Sequence, residues 1–138
     1  MPRTIVRPYA AMKDPAVAAM NAMPEYVASR TLRDPGWANT TVLGADLTAE
    51  VGRVKAASEE ETVVLGSGGL LGTLVEAGLV DEYRLLVLPL ILGSGKRLFA
   101  DGMGPRALTL TATERTPSGV LINAYRCPAG GWGLGPPR

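Results

Sequence analysis

The spacing of apolar positions changes midway along the chain, from a helical period to a strand period. Up to Gly78, short β-branched runs alternate with segments whose apolar residues recur every three or four positions, which predicts strands alternating with helices. Beyond Gly78 the apolar residues fall at nearly every second position, which predicts strands alone. β-α-β units followed by a β-hairpin are typical of one layered α/β domain, predicted here over residues 1–127.

Capping residues and helical spacing predict three helices. They cover residues 16–23 after the N-cap Asp14, the segment after the N-cap Asp46, and residues 69–77, which end at the C-cap Gly78. In the third helix, four residues are predicted to point inward: Leu70, Leu71, Leu74 and Val75. The segments predicted as strands are 26–29, 41–43, 62–66, 83–88, 108–113 and 120–125, with an ambiguous one at 4–7. Residues 83–88 are apolar on both faces, which predicts a central strand covered on both sides.

Charge and cysteine content narrow the classes of function. Fourteen basic and thirteen acidic residues give a net charge of +1, so no strong field attracts nucleic acid or an anionic membrane. No apolar run is long enough to span a bilayer or to form a signal peptide. The one cysteine, Cys127, excludes an internal disulfide and predicts a cytoplasmic protein. The Gly- and Pro-rich residues 128–138 are predicted to form a loose tail.

The absence of histidine limits the available chemistry. With no histidine in the sequence, neither Ser-His-Asp nor Cys-His catalysis is available, and one cysteine cannot form a zinc site. We therefore expect no metal. If the protein is an enzyme, the difficult chemistry belongs to a bound cofactor that the chain binds and orients.

A glycine turn joins the strand predicted at 62–66 to the helix that follows it. Gly66-Ser67-Gly68-Gly69 would leave backbone N–H groups bare at the positive end of that helix, which suits a pyrophosphate. The alternative is a tight turn with no ligand. The turn is not a Rossmann fingerprint, because residue 71 is leucine. Residues 93–97 are not a Walker A loop, and they are either a turn facing water or a border of the substrate pocket.

Three segments together resemble the dihydrofolate reductase-like family, which includes the reductase domain of riboflavin-biosynthesis proteins. The segments are Asn21–Leu32, the glycine turn with its helix through Tyr83, and Pro89–Phe99. They occur in the family's order and span about residues 15–126. The resemblance implies a mostly parallel central sheet with helices on both faces and an antiparallel C-terminal hairpin. It also implies hydride transfer from NADPH to a pteridine or to the open-chain pyrimidine of riboflavin synthesis.

The resemblance also implies which residues bind the cofactor. One group falls where the family holds the adenosine 2′-phosphate, and the other where it cradles the pyrophosphate. The residues are Ser29, Arg30, Thr31, Gly66, Ser67, Gly68, Gly69, Leu70 and Leu71. Two hydroxyls and a guanidinium can bind a phosphate dianion. The alternative is that Ser29 and Thr31 only satisfy a turn while Arg30 is a solvated charge. The acids Asp14, Glu25 and Asp34 match no motif, so no residue is assigned a catalytic role.

The chain departs from the family at its beginning. It reaches the Asn21–Leu32 segment without the family's first strand and helix. Three explanations are open: a truncated gene product, a pocket completed by another chain, or a relic without activity. An uncovered sheet edge or apolar face invites a second chain. We therefore expect a homodimer whose interface includes part of residues 83–99 or the 106–126 hairpin. The alternative function is a non-catalytic dimerising or nucleotide-binding remnant.

Overall fold

The computed structural model describes residues 14–36, 39–65, 67–99 and 101–128. The chain divides into two units, Met1–Ala57 and Ser58–Arg138. The strand predicted at 4–7 and the tail beyond residue 128 lie outside the described residues. A single domain over 1–127 stays a prediction.

The first unit places two parallel strands between two helices in chain order. Its elements are α1 (Pro15–Ala22), β1 (Glu25–Ala28), β2 (Thr40–Leu43) and α2 (Leu47–Ala57). Helix α1 begins as predicted, because the Asp14 carboxylate accepts a hydrogen bond from the Ala16 amide at 2.7 Å and proline fills the first turn. β1 and β2 run parallel, from Glu25 opposite Thr40 to Ala28 opposite Leu43.

Helix α2 is fixed at its beginning by two carboxylates. Asp46 Oδ1 accepts from the Ala49 amide at 3.1 Å, which confirms it as a capping residue. Glu50, in the first turn, accepts from the Gly44 amide at 2.9 Å and so ties the helix to the loop after β2. The helix contacts β2, and Leu43 is the buried residue of that strand.

The second unit contains helix α3 and an antiparallel sheet. Its elements are α3 (Gly68–Glu76), β3 (Glu82–Val87), β4 (Thr109–Arg115) and β5 (Leu121–Arg126), and the sheet order is β3-β5-β4. Helix α3 ends at Gly78, whose φ of +68° is the left-handed conformation expected of a C-cap glycine. The hairpin predicted between β4 and β5 is present, with a turn closed by the Thr116 amide bonding to the Val120 carbonyl.

A small core holds the second unit together. Leu74 and Val75 of α3 and Tyr83 of β3 are buried. The Tyr83 ring meets Phe99 edge to face, with ring centroids 5.5 Å apart, a geometry that aromatic pairs favour. Leu70 and Leu71 are half-buried on the same helix. All four helix residues predicted to point inward therefore contribute to packing.

Two predictions about strands were wrong in their details. Residues 62–65 belong to neither sheet, and Val63 and Leu65 are 64% and 77% exposed. β3 forms as predicted, but it lies at a sheet edge instead of the centre, and its Leu86 is 62% exposed. An apolar pattern indicates that a strand can be buried against other parts of the protein. Whether it is buried depends on residues that are distant in the sequence. The fold class is α/β, with three helices and two sheets among the described residues. One mostly parallel central sheet stays a prediction.

No helix in the part of the chain that the structure describes is long and apolar enough to cross a membrane.

Candidate functional site

The glycine turn of the second unit presents bare amides at the N-terminus of α3. Ser67 is the N-cap residue, with φ of 64° and ψ of 61°, and its side chain makes no capping hydrogen bond. The first hydrogen bond of the helix runs from the Leu71 amide to the Ser67 carbonyl at 3.0 Å. The amides of residues 68–70 therefore precede that bond and have no acceptor within the helix.

The glycines at this turn are not required by the protein itself. A Cβ built on Gly68 or on Gly69 meets no other atom within 4 Å. Neither residue is among those with positive φ, so the backbone would accept an ordinary side chain there. The space around the built Cβ of Gly68 and of Gly69 is therefore open. These residues fit a pyrophosphate group, which needs both the donors and the close approach.

The predicted residues at the glycine turn are not equivalent. No described residue is seen to accept a hydrogen bond from the amides of Gly68, Gly69 and Leu70, whereas the Leu71 amide is bonded to the Ser67 carbonyl. Leu70 and Leu71 direct their side chains into partly buried positions, so their contribution to binding is through the backbone and through packing of the helix. Gly66 lies outside the described residues.

Ser29, Arg30 and Thr31 form a turn directly after β1 in the first unit. Ser29 Oγ accepts from the amides of Thr31 and Leu32, at 3.3 and 3.0 Å. The serine hydroxyl therefore organises the turn, as one of the two interpretations of this segment predicts. Arg30 and Thr31 are exposed, and no described residue hydrogen-bonds or ion-pairs with the Arg30 guanidinium.

The three acids without a motif have structural roles. Asp14 caps α1, Glu25 accepts a 3.5 Å hydrogen bond from Thr40 Oγ1, and the Asp34 carboxylate accepts from the Gly36 amide at 2.9 Å. Within the described residues no polar or charged side chain is buried, and no three His, Cys, Asp or Glu residues are placed to bind a metal. Among the described residues, therefore, no Asp, Glu, Lys or Arg side chain is buried.

Ionisable groups of the second unit cluster around β3. Arg84 pairs with Glu82 at 2.7 Å and with Glu61 at 2.8 Å, and the hydrogen bond to Glu82, followed by that to Glu61, raises the pKa of Arg84. Burial raises the pKa of Tyr83, and it likewise raises that of Cys127, with which Tyr83 shares a side-chain hydrogen bond. A partly buried thiol with a raised pKa stays protonated near neutral pH, so Cys127 is a poor nucleophile.

One contact at the C-terminal end of α3 was not predicted from the sequence. The Arg106 guanidinium donates a hydrogen bond to the Val75 carbonyl near the C-terminal end of α3. A cation at this position complements the helix dipole. The only sign of this contact in the sequence is an isolated arginine after Pro105. The hydrogen bond joins two residues that are 31 positions apart in the chain.

Two shallow grooves have no predicted cofactor residue in their linings. One has a volume of about 350 Å³ and the other of about 290 Å³. The first is lined by Tyr26, Thr41, Leu43, Glu50, Arg53 and Val54, and the second by Glu82, Arg84, Thr111, Ala112, Glu114, Ile122 and Ala124. The residues of the loop at 93–97 are exposed, as its interpretation as a turn facing water predicts. Neither groove is lined by the cofactor-binding residues that were predicted from the sequence.

This chain matches a known protein family and is similar to a curated bacterial protein. The model of the RibD C-terminal domain family matches residues 2–122. The protein YyaP of Bacillus subtilis (strain 168) is 32% identical over 102 residues, which are 73% of this chain and 53% of that protein. This chain thus spans about half the length of the curated relative it matches.

Two crystal structures share the fold at low sequence identity. A structure described as a riboflavin biosynthesis protein from Shewanella sp. PV-4 has a TM-score of 0.68 at 19% identity, covering 78% of this chain and 62% of that one. A pyrimidine reductase-like protein from Corynebacterium diphtheriae NCTC has a TM-score of 0.55 at 15% identity, covering 76% and 50%. The likeness is one of fold alone.

Proposed function

The chain belongs to the RibD C-terminal domain family, and from this premise we propose that it is an NADPH-dependent reductase of a small molecule. The substrate class is a pteridine or a pyrimidine of the riboflavin pathway, reduced at a carbon–nitrogen or carbonyl double bond. The observation that carries the proposal is the glycine turn, where open space and bare amides occur together. When bound, NADPH supplies the hydride, and the chain binds and orients it.

The pyrophosphate is assigned to the beginning of α3. The amides of Gly68, Gly69 and Leu70 precede the first hydrogen bond of the helix, so each can donate to a phosphate oxygen. The helix dipole adds a favourable interaction of about 0.3–1 kcal/mol for each anionic group near the terminus. A side chain at Gly68 or Gly69 would occupy the space proposed for the pyrophosphate. Ligand binding would therefore explain why glycine is found at these two positions, whereas packing within the protein does not.

The 2′-phosphate is assigned to the turn after β1. Ser29 Oγ already accepts from two amides, but its own hydrogen can still be donated to a phosphate oxygen. Thr31 offers a second hydroxyl, and the exposed Arg30 offers a planar guanidinium that suits phosphate geometry. The turn organised by Ser29 therefore serves both interpretations of the segment, because it positions Arg30 and Thr31 on a defined backbone.

A second candidate function is a non-catalytic, nucleotide-binding or dimerising remnant of the family. One observation favours it: among the described residues no Asp, Glu, Lys or Arg side chain is buried. Reduction of a double bond needs a proton as well as a hydride, and a general acid is normally tuned by burial. The remnant would keep the cofactor-binding turns and lack turnover.

We also propose that the protein is a homodimer. Large apolar side chains are exposed along residues 86–99 and in the hairpin, including Ile91 at 98% and Leu92 at 79%. Exposed apolar residues at such density mark an interaction surface more often than a solvated one. Light scattering at micromolar concentration tests the proposal, and a monomer that binds no apolar dye would contradict it.

Turnover distinguishes the reductase from the remnant. The purified full chain is mixed with NADPH and either a dihydropteridine or the deaminated ribosylamino-pyrimidine of the riboflavin pathway, and the loss of NADPH absorbance is followed. Oxidation that depends on one substrate supports the reductase. Saturable NADPH binding without oxidation, with either substrate, supports the remnant. NADH in parallel reports whether the 2′-phosphate is recognised.

A further inference from the structure

The segment that follows β1 is fixed at both ends by hydrogen bonds between side chain and backbone. At its beginning, Ser29 Oγ accepts from the amides of Thr31 and Leu32. At its end, Asp34 Oδ1 accepts from the Gly36 amide at 2.9 Å, and Gly36 has a φ of +62°. Residues 29–36 therefore carry two local turns, each held by the polar side chain that begins it.

Arg33 lies between these two turns, three residues after Arg30. Both arginines are exposed, whereas Leu32 is half-buried. The bonds to Ser29 Oγ are those that an N-cap residue makes with the first turn of a helix, although no helix follows here. Residues three apart on such a turn are neighbours on its surface. The turn therefore brings the two arginines to neighbouring positions.

No carboxylate neutralises either arginine within the described residues. The hydrogen bonds and ion pairs of these residues include none made by the guanidinium of Arg30 or Arg33. Asp34, the acid adjacent to Arg33, directs its carboxylate to the Gly36 amide. All thirteen acidic residues of the chain are among the described ones, so the remaining segments have no acidic side chain to contribute. The turn therefore presents two positive charges.

We propose that Arg33 binds the 2′-phosphate of NADPH together with Arg30 and so determines the preference for NADPH over NADH. The inference rests on the proposed function, which assigns this phosphate to the turn after β1. A phosphate monoester carries a charge of about −1.5 to −2 at neutral pH, and one guanidinium compensates only part of it. Two guanidiniums match the dianion, and each offers planar donors that suit its oxygens.

The fixed backbone makes a second arginine effective. A residue on a flexible loop loses backbone freedom when it binds a ligand, and that loss offsets part of the contact. Here Ser29 and Asp34 hold the backbone on either side of Arg33 before a ligand arrives. Solvent screening of the exposed side chain reduces the contribution. We therefore expect Arg33 to contribute about fivefold to NADPH affinity, less than Arg30 and nothing to NADH affinity.

The test compares Arg33→Gln with Arg53→Gln, each titrated with NADPH and with NADH. Arg53 is an exposed arginine of the same unit, on α2, so the control removes the same charge at a distance in sequence from the turn. Both side chains are exposed, so both variants are expected to fold, which circular dichroism verifies. The dissociation constant for NADPH should rise about fivefold or more in Arg33→Gln and less than about twofold in Arg53→Gln.

Two further measurements separate phosphate binding from a structural role. The dissociation constant for NADH should be unchanged in both variants, because NADH lacks the 2′-phosphate. Arg33→Lys should recover part of the NADPH affinity, since it restores the charge without the planar donors. A structural role for Arg33 would instead weaken the binding of both nucleotides and would not depend on the charge.

The outcomes also separate this inference from the proposed function. An NADPH affinity unchanged in Arg33→Gln would refute the role of Arg33 and leave the proposed function standing. An equal loss for NADPH and NADH, or an equal loss in Arg53→Gln, would refute it as well. Saturable binding of NADPH and NADH with equal affinity by the parent chain would exclude any reading of the 2′-phosphate. Failure of the parent to bind either nucleotide would overturn the proposed function together with this inference.

Discussion

Replacing Gly68 with valine separates ligand binding from folding at the glycine turn. The residue begins α3, and its amide is one of three that precede the first hydrogen bond of the helix. In the proposed function the pyrophosphate lies against these amides. The valine side chain would occupy that approach while leaving the protein's own packing unchanged, because a Cβ at this position meets no atom within 4 Å.

The two effects of Gly68→Val differ in size. Valine is a better helix residue than glycine, so the free energy of unfolding should change by less than about 0.5 kcal/mol. The valine side chain should displace the pyrophosphate and remove a charge-assisted hydrogen bond to it. This should cost about 2–3 kcal/mol of binding free energy, which raises the dissociation constant roughly 30- to 150-fold. The binding loss should therefore exceed the folding change severalfold.

The assay is a fluorescence titration of NADPH with a denaturation curve for each variant. Gly72→Val is the matched control, since Gly72 lies one turn further along α3 and its Cβ also meets nothing within 4 Å. We expect the control to bind NADPH as the parent does. Equal NADPH affinity for Gly68→Val and the parent would refute the assignment of the pyrophosphate to this turn, and so would an equal loss in the control.

Three further predictions concern single residues. Arg30→Ala should weaken NADPH binding about tenfold or more and leave NADH binding unchanged, because only NADPH carries the 2′-phosphate; an equal loss for both cofactors would exclude Arg30 as the phosphate reader. Ser67→Gly should raise the free energy of unfolding by about 1 kcal/mol, since Ser67 holds a φ of 64° that glycine adopts without strain; an unchanged melting temperature would contradict this. The raised pKa of Tyr83 stabilises the folded protein below the ordinary tyrosine pKa of about 10, and this contribution is lost as the pH rises through the folded pKa. The Tyr83→Phe variant should therefore lose less stability than the parent in alkaline urea titrations, and parallel curves would show that Tyr83 does not titrate in this way.

Features that depend on neighbouring residues were predicted well. Asp14, Asp46 and Gly78 each mark a helix end, and the structure places each in its expected capping conformation. Caps act over three or four residues, so the sequence contains the whole interaction. The family was also identified from ordered short motifs, and the match over residues 2–122 confirms it.

Features that depend on distant residues were predicted less well. The segment 62–65 and the strand β3 both have the apolar character of covered strands, yet the first is unpaired and the second forms an edge. Pairing requires a partner strand that no local pattern specifies. The predicted central position of β3 failed for this reason, and the exposed Leu86 is its consequence.

The sequence does not specify the backbone geometry of the candidate site residues. The left-handed conformation of Ser67 and the use of the Leu71 amide inside α3 follow from backbone geometry that the glycine pattern does not encode. Likewise, the two amides bound by Ser29 Oγ make that residue a turn former as well as a candidate ligand. The binding contribution of each of the described candidate residues stays a prediction until a cofactor is titrated.

The most direct test of the proposed function is a titration of the purified full chain with NADPH, followed by the change in nucleotide fluorescence. Both the reductase and its nucleotide-binding alternative require saturable binding, and the recognition of the 2′-phosphate by Arg30 requires that NADPH bind more tightly than NADH by about tenfold. Saturation at micromolar NADPH with that preference is the predicted result. No binding at millimolar NADPH would contradict the central claim, because no reductase of this kind can act without its hydride donor.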